Sequence, residues 1–389
     1  MRYKISSFGG MAKPGYNFIH YLSMFSLFLC CMGLFVFFNG LFSFFVITGI
    51  FFGLRIIIRK LTGHATSGLG LFKNISLLLL FIATGFAFSV LRTETNYYYL
   101  MDRNANLKVK ENGAWVLIEN AKQIDADEVY SNPMVVIQKL RIKRNQSSIM
   151  GRALNWVMTQ EVNVFTFNPN NSFYLVANPN ENFKPLTVTE AQERKSSNFL
   201  INASFYDPSN QAIGEVIYCS KQYQRKSSSS GYFKVIDGIP HAGPKSIFDQ
   251  YNNPPSYSCQ AHPSTMKDGV IFEYILNNSF AKWRNRTYRN LVGEKPDGSI
   301  VFIASGKGGL LDVREITQLA KLLGLTHATL FDAGVALQYA YQSNGYSMEF
   351  SAFNNILDAG SFIDQVGMEL FRKNFIQRSP IYIGINLTE

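Results

Sequence analysis

The first 92 residues contain no aspartate or glutamate, although eight lysines and arginines lie among them (Arg2, Lys4, Lys13, Arg55, Arg59, Lys60, Lys73, Arg92). The rest of the chain carries 29 basic and 27 acidic side chains, so most of the formal charge of +10 belongs to the N-terminal part. A nucleic-acid surface needs its basic patch on a folded domain, and no nucleic-acid partner is expected. Cysteine is scarce, at four in 389 residues. Cys30 and Cys31 lie in an apolar run, where they act as small hydrophobes. Cys219 and Cys259 lie in the polar part, and whether they pair depends on export, which their spacing leaves open. There is no Cys-x-x-Cys and no His/Cys cluster, which excludes a zinc site of the usual spacing. No cofactor is expected, with a divalent metal such as calcium left open. A cleavable signal peptide fits poorly, because its apolar core should be much shorter and should end at a cleavage site.

Apolar length is what the N-terminal part has in abundance. Residues 16–58 are almost continuously apolar. As one helix they would extend about 63 Å, twice the hydrocarbon thickness of a bilayer. Asn39-Gly40 divides the run into spans 20–38 and 41–58, and 75–91 is a third. Basic residues precede the first span and lie between the second and third. The positive-inside rule puts both groups in the cytoplasm and residues 93–389 outside. The expectation is a membrane anchor of three transmembrane helices over 1–92, with the lipid bilayer as partner. The C-terminal part is then extracytoplasmic, periplasmic or extracellular. Oligomeric state stays open.

Residues 93–154 read as a connector, a small stalk or sheet extension with strands at 114–119 and 134–142. The Tyr-rich stretch 96–101 suits a membrane interface. From 155 onward, short strands alternate with turns. Residues 162–167 and 173–177 read as a hairpin, 186–195 as a short helix, and 199–202 as a buried strand ending in Asn202. Residues 212–217 return as a strand, 224–231 (QRKSSSSG) form a flexible loop, 233–240 are a strand and turn, and 270–276 are a further strand. The central stretch is 299–339. Residues 299–304 are a β-branched apolar strand. Asp312 and Glu315 have capping-box spacing, and Ile316, Leu319, Ala320 and Leu323 share one helical face. Gly324 can end that helix, and 328–331 forms a strand that breaks at Asp332-Ala333-Gly334. Residues 361–371 read as a helix and 378–385 as a closing strand. The strand–helix–strand pattern predicts an α/β domain, a mixed sheet with helices.

The order of motifs resembles the phosphodiester glycosidase family. There a strand ends in Asn-Gly-Gly-Phe-Phe or Asn-Ala-Gly-Met-Phe followed by Asp. Here Asn202-Ala203-Ser204-Phe205-Tyr206-Asp207 is similar. The family's Gln-Ser-Gly-Pro and Asp/Asn-Gly turn look like Gln260-Ala261-His262-Pro263 and Asp268-Gly269. Its Arg-Thr-Ala-Ile-Gly looks like Arg289-Asn290-Leu291-Val292-Gly293, and its Leu-Asp-Gly-Gly-Gly-Ser turn like Phe331-Asp332-Ala333-Gly334-Val335-Ala336. The resemblance covers about 155–389. It departs from the pattern at Ala203-Ser204, at Ala261-His262, and at Ala333, Val335 and Ala336. Glycines let backbone N–H groups approach a phosphate, and Val335 and Ala336 crowd such a cradle.

The resemblance implies a glycosidase, and the anchor expected over 1–92, which lies outside the resemblance, would hold it at the membrane. It would hydrolyse a sugar-1-phosphodiester in a cell-envelope or surface glycan, with a glycosyl phosphodiester or phosphoglycan as substrate. The alternative is a degenerate, non-catalytic phosphoglycan binder or envelope scaffold. Such chemistry usually takes two carboxylates. Asp332 is the first candidate and Glu315 the second, although a capping box explains Glu315 without catalysis. Arg289 is the candidate phosphate clamp, because guanidinium matches phosphate bidentately. Asn202, Gln260, Asn290 and Gly334 are candidate substrate-binding positions, with Asn202 and Gln260 also readable as turn residues. His262, where the family has glycine, reads as a structural histidine or as a general acid or base.

Overall fold

The computed structural model describes residues 105–145, 160–203, 205–207, 211–277, 286–352 and 378–388. All belong to one compact unit, Thr93–Ala359 with Lys373–Glu389. The proposed membrane spans and the helix expected at 361–371 lie outside the described residues. Among the described residues no helix is long and apolar enough to cross a membrane.

Along the chain the strands are β1 (Leu107–Glu111), β2 (Ala114–Leu117), β3 (Asp127–Asn132), β4 (Val135–Arg144), β5 (Glu161–Phe167) and β6 (Ser172–Ala177). Helix α1 (Val188–Lys195) precedes β7 (Phe199–Asn202), β8 (Val216–Tyr218), β9 (Lys221–Gln224), β10 (Gly231–Ile236), β11 (Ile239–Pro244), β12 (Tyr257–Ala261), β13 (Ser264–Lys267) and β14 (Val270–Ile271). One turn of helix, α2 (Glu273–Leu276), leads to β15 (Asn290–Glu294), β16 (Ile300–Ser305), α3 (Val313–Leu322) and β17 (His327–Leu330). The chain closes with β18 (Gln338–Ser343), β19 (Tyr346–Ser351) and β20 (Ile381–Asn386).

The strands form three sheets. The largest runs β14-β13-β17-β15-β16-β5-β4-β1-β2, with β3 also on β4; the others run β11-β10-β12-β8-β9 and β19-β18-β7-β20-β6. Pairings are antiparallel throughout, including β15 with β16 and with β17. The expected α/β class is therefore wrong: among the described residues this is a mainly β domain with three short α-helices. The local reading of 299–331 holds, since β16, α3 and β17 follow in order. However, β15 is inserted between β16 and β17, so they never pair as parallel neighbours.

Burial explains the difference. All six residues of β16 are buried, because the large sheet is covered on both faces. On one face Val164, Val301, Ile303 and Leu330 pack with Val313, Ile316, Leu319 and Ala320 of α3. On the other, Phe165, Phe167 and Phe302 meet Phe199 and Tyr339 of the third sheet, with ring centroids 4.8–5.4 Å apart. Phe173 touches both Phe167 and Phe233, and so links all three sheets. A strand covered on both faces loses apolar–polar alternation and reads like a parallel-sheet strand.

Two further local expectations change. β5 and β6 are both present but do not form a hairpin: β5 pairs with β4 and β16, and β6 with β20. The strand expected at 270–276 is two residues of β14 followed by α2. Residues 107–144, read from sequence as stalk or sheet extension, supply β1–β4 to the large sheet, and β4 pairs along all of β5.

Candidate functional site

Ends of strands from the first and third sheets meet at Asn202, and the turn leaving the second sheet joins them. The peptide N–H of Asp332 donates to Ala203 O (3.2 Å) and that of Phe331 to Asn290 O (3.0 Å). From the second sheet, β12 leads into the turn at His262-Pro263, whose peptide bond is cis. The His262 N–H donates to Leu330 O at 3.0 Å. Asn202 is fully buried at the junction. Its Nδ2 donates to Asp332 O (3.0 Å), and its Oδ1 accepts from Gln338 N–H (2.9 Å). Asn290 Nδ2 donates to Asn202 O at 2.8 Å. Gly334, at φ +67°, turns the chain back and donates its N–H to Tyr288 O at 2.9 Å. That φ is easy for glycine and costly for most residues. Asn202, Asn290, Asp332, Gly334 and the backbone of His262 are thus brought together.

Asp332 is the chemically unusual member. Its Oδ1 accepts the Ala333 N–H at 2.9 Å. Among the described residues no cation pairs with it. Burial pushes its carboxyl up to about 7, against the smaller downward pull of the Ala333 N–H. It therefore exchanges a proton near neutrality, which suits a general acid or base. Two buried amide atoms beside Asn202 have no hydrogen-bond partner: Asn290 Oδ1, an acceptor, and Gln338 Nε2, a donor. A sugar hydroxyl can both donate and accept. His262 is exposed to solvent on one side, partial desolvation of its ring lowers its pKa, and its Nδ1 is 3.5 Å from Ser230 Oγ.

The other candidates are held elsewhere. Glu315 completes the capping box with Asp312 (2.8 and 2.9 Å). It also takes a two-pronged salt bridge from buried Arg144 (2.5 and 2.8 Å) and a contact from Arg286 at 3.3 Å. Burial alone would raise its pKa, but the two arginines outweigh it and hold it below the usual glutamate value. Neighbouring Asp312 goes the other way, up to about 6, through burial and then the charge of Glu315. Among the described residues, Glu315 and Asp332 share no hydrogen-bond partner.

Successive residues of an extended chain point to opposite faces. Asn290 reaches Asn202, while Arg289 sends Nε to Leu311 O at 3.1 Å, on the α3 side. The side chain of Gln260 is committed as well. Its Oε1 accepts from the N–H groups of Glu215 and Ser227 (2.8 Å each), and its Nε2 donates to Ser227 O (3.1 Å) and Ser229 O (2.7 Å). It pins the 224–231 loop, which sequence alone reads as flexible.

Sequence reading missed three groups. Arg144 is the last residue of a strand that otherwise reads as surface-alternating, and its cationic head is buried. Gln338 opens a strand of large aromatic residues, and a buried amide there was the available signal. Glu215, treated as an ordinary strand residue, is 2% exposed and takes Ser258 Oγ (3.0 Å) and Lys234 Nζ (3.2 Å). Among the described residues no group of three His, Cys, Asp or Glu could hold a metal ion.

No family model matches the chain, and no curated protein matches it. Among solved structures it is similar to the catalytic domain of zebrafish N-acetylglucosamine-1-phosphodiester alpha-N-acetylglucosaminidase, auto-inhibited by its pro-peptide. That match has 11% identity over 76% of this chain and 94% of that one, with a TM-score of 0.48. A hypothetical protein from Synechocystis matches at 13% identity, over 73% and 68% of the two chains, with a TM-score of 0.43. A Burkholderia pseudomallei K96243 protein described as exported matches at 9% identity, over 59% and 74%, with a TM-score of 0.36. At these identities no residue role passes from those proteins to this one.

Proposed function

We propose that the chain hydrolyses a glycosyl phosphodiester, with Asp332 as its acid–base group, on the outer side of a membrane. One observation carries the reading. Asp332 is a carboxyl raised to about 7 with no cationic partner among the described residues, at a junction lined by buried amides with unused hydrogen-bonding capacity. In the proposed step the bond from the anomeric carbon to the phosphate oxygen breaks, and its electron pair leaves with the phosphate monoester. Water forms the new bond to that carbon and gives its proton to the Asp332 carboxylate. A phosphate leaving group needs little protonation, so one carboxylate suffices where two are usual. Asn290 Oδ1 and Gln338 Nε2 would hold sugar hydroxyls.

The outside location rests on the basic residues that precede the first apolar span and lie between the second and third. The apolar runs 16–58 and 75–91 would hold the chain at a lipid bilayer. Protease added to intact spheroplasts should digest the C-terminal part, and complete protection would refute this location.

A second reading has its own support. Arg289, Gln260 and Glu315 all bond to the protein itself, as expected of a phosphoglycan-binding or scaffold protein that has lost turnover. Release of free sugar by the full-length chain from a panel of sugar-1-phosphodiesters separates the two. Turnover abolished by Asp332→Asn supports the enzyme, whereas tight phosphoglycan binding without release supports the binder. A fragment starting at 155 is unsuitable, because it strips β1–β4 from the large sheet.

A further inference from the structure

We propose that the outer face of β1, β2 and β4 docks on an anionic lipid bilayer. Leu107, Val109 and Ile142 face the core, and Val116 packs against it. Alternation therefore turns Lys108, Lys110, Trp115, Leu117 and Lys143 to the opposite face. Register gathers them: Lys108 lies opposite both Leu117 and Lys143, and Lys110 opposite Trp115. The ammonium groups of Lys110 and Lys143 stand 5.9 and 5.8 Å from the Trp115 ring centroid. Trp115 and Lys143 are exposed.

Lys108 and Lys143 lie directly across a strand pair, where like charges oppose each other and destabilise the sheet, and among the described residues no carboxylate pairs with any of the three lysines. The neighbouring cations are paired, Lys139 with Glu161 and Arg141 with Asp127, each at 3.0 Å. Acids of the adjoining segments bond to backbone. Glu111 accepts from Lys122 and Gln123, and Asp125 from Asn112 and Gly113. Lys108, Lys110 and Lys143 make no ion pair among the described residues.

A lipid headgroup layer supplies both things this face lacks. It spreads negative charge over several lysines, and it takes an amphipathic indole at its interface. Position favours lipid over a soluble polyanion. β1 begins sixteen residues after the last apolar stretch, 75–91, a tether of at most about 55 Å when extended. The inference rests on the bilayer reading above in this respect.

The test uses full-length chain carrying W156F and W283F, so that Trp115 is the only tryptophan. The protein is placed in nanodiscs of phosphatidylcholine alone or mixed with phosphatidylglycerol, both containing brominated lipid. Strong quenching of Trp115 in the mixed discs, and weak quenching in phosphatidylcholine, is expected. High salt should abolish the difference as the Debye length shrinks from about 10 Å to about 3 Å. At about fivefold per lysine, K108Q/K110Q/K143Q should weaken docking on the order of a hundredfold. If that variant misfolds, the salt series on the parent protein still tests the same charge attraction. Protein that enters the discs but shows no lipid-dependent quenching overturns the docking face and leaves the bilayer reading intact. Protein that never enters discs overturns both. A fluorescence response of Trp115 to a soluble phosphoglycan without lipid overturns the choice of partner.

Discussion

Glu315 and Asp332 stand on the same strand–helix–strand unit, yet the fold treats them in opposite ways. Glu315 is buried against two guanidinium groups and shares a capping box. Asp332 has one backbone N–H and, among the described residues, no cation. The first arrangement stabilises the charged form and ties α3 to β4. The second penalises the charged form and leaves a proton available near neutrality. A carboxylate surrounded by cations is a structural clasp, and a desolvated one without them is a candidate acid–base group.

The sharpest break in this comparison is activity. Asp332→Asn keeps the acceptor for the Ala333 N–H and removes the proton exchange. Sugar release should fall by about 10²–10⁴-fold, the usual range for one acid–base group, measured at saturating and limiting substrate. Undiminished release would return Asp332 to a turn residue. The pH profile sharpens the same point. The proposed base works ionised, so log kcat/KM should rise with unit slope below about 7 and level off above it.

Stability separates the two sites next. Glu315→Gln leaves Arg144 and Arg286 with uncompensated charge in a buried setting, and should cost about 3–5 kcal/mol in denaturant unfolding. The Glu315 carboxyl is held low in the folded state, so its contribution is present above the ordinary glutamate value and lost as pH falls through the depressed folded value. Asp332 has the reverse sign. Its raised pKa leaves stability untouched below about 3.8 and costs progressively more as pH rises to about 7. Asp332→Asn should therefore stabilise at pH 8 by on the order of 2 kcal/mol, discounted for partial hydration, and have little effect at pH 4. Equal effects at both pH values would deny that burial sets the Asp332 pKa.

The smallest effect belongs to Gln260, which contributes bonds and no charge. Gln260→Ala should cost about 1–2 kcal/mol and speed amide exchange at Ser227 and Ser229 with little change in sugar-release chemistry. A large loss of turnover with unchanged exchange would move Gln260 into the substrate site.

Much of the local structure was legible. The capping box at Asp312 and Glu315, the apolar face of α3 and the end of β7 at Asn202 follow from short-range rules and appear as read. Pairing was not legible. β5 and β6 look like a hairpin because each has strand composition and a turn lies between them, but their partners come from strands distant in sequence. Of the candidate site, Asn202, Asn290, Asp332 and Gly334 could be named from sequence and do converge. The separation of Arg289 from Asn290 needs only alternation, yet which face holds the site emerges from the sheet order.

By itself the sequence determined the element boundaries near α3, the turn at Asp332, and the charge asymmetry before Thr93. These depend on neighbours three or four residues away or on composition alone. Tertiary structure decided the antiparallel sheet order, the double-sided burial of β16, and the split fates of Glu315 and Asp332. Whether a carboxyl holds its charge depends on which cations and how much water lie near it. Arg144 comes from a strand 171 positions away, and no local pattern encodes that meeting.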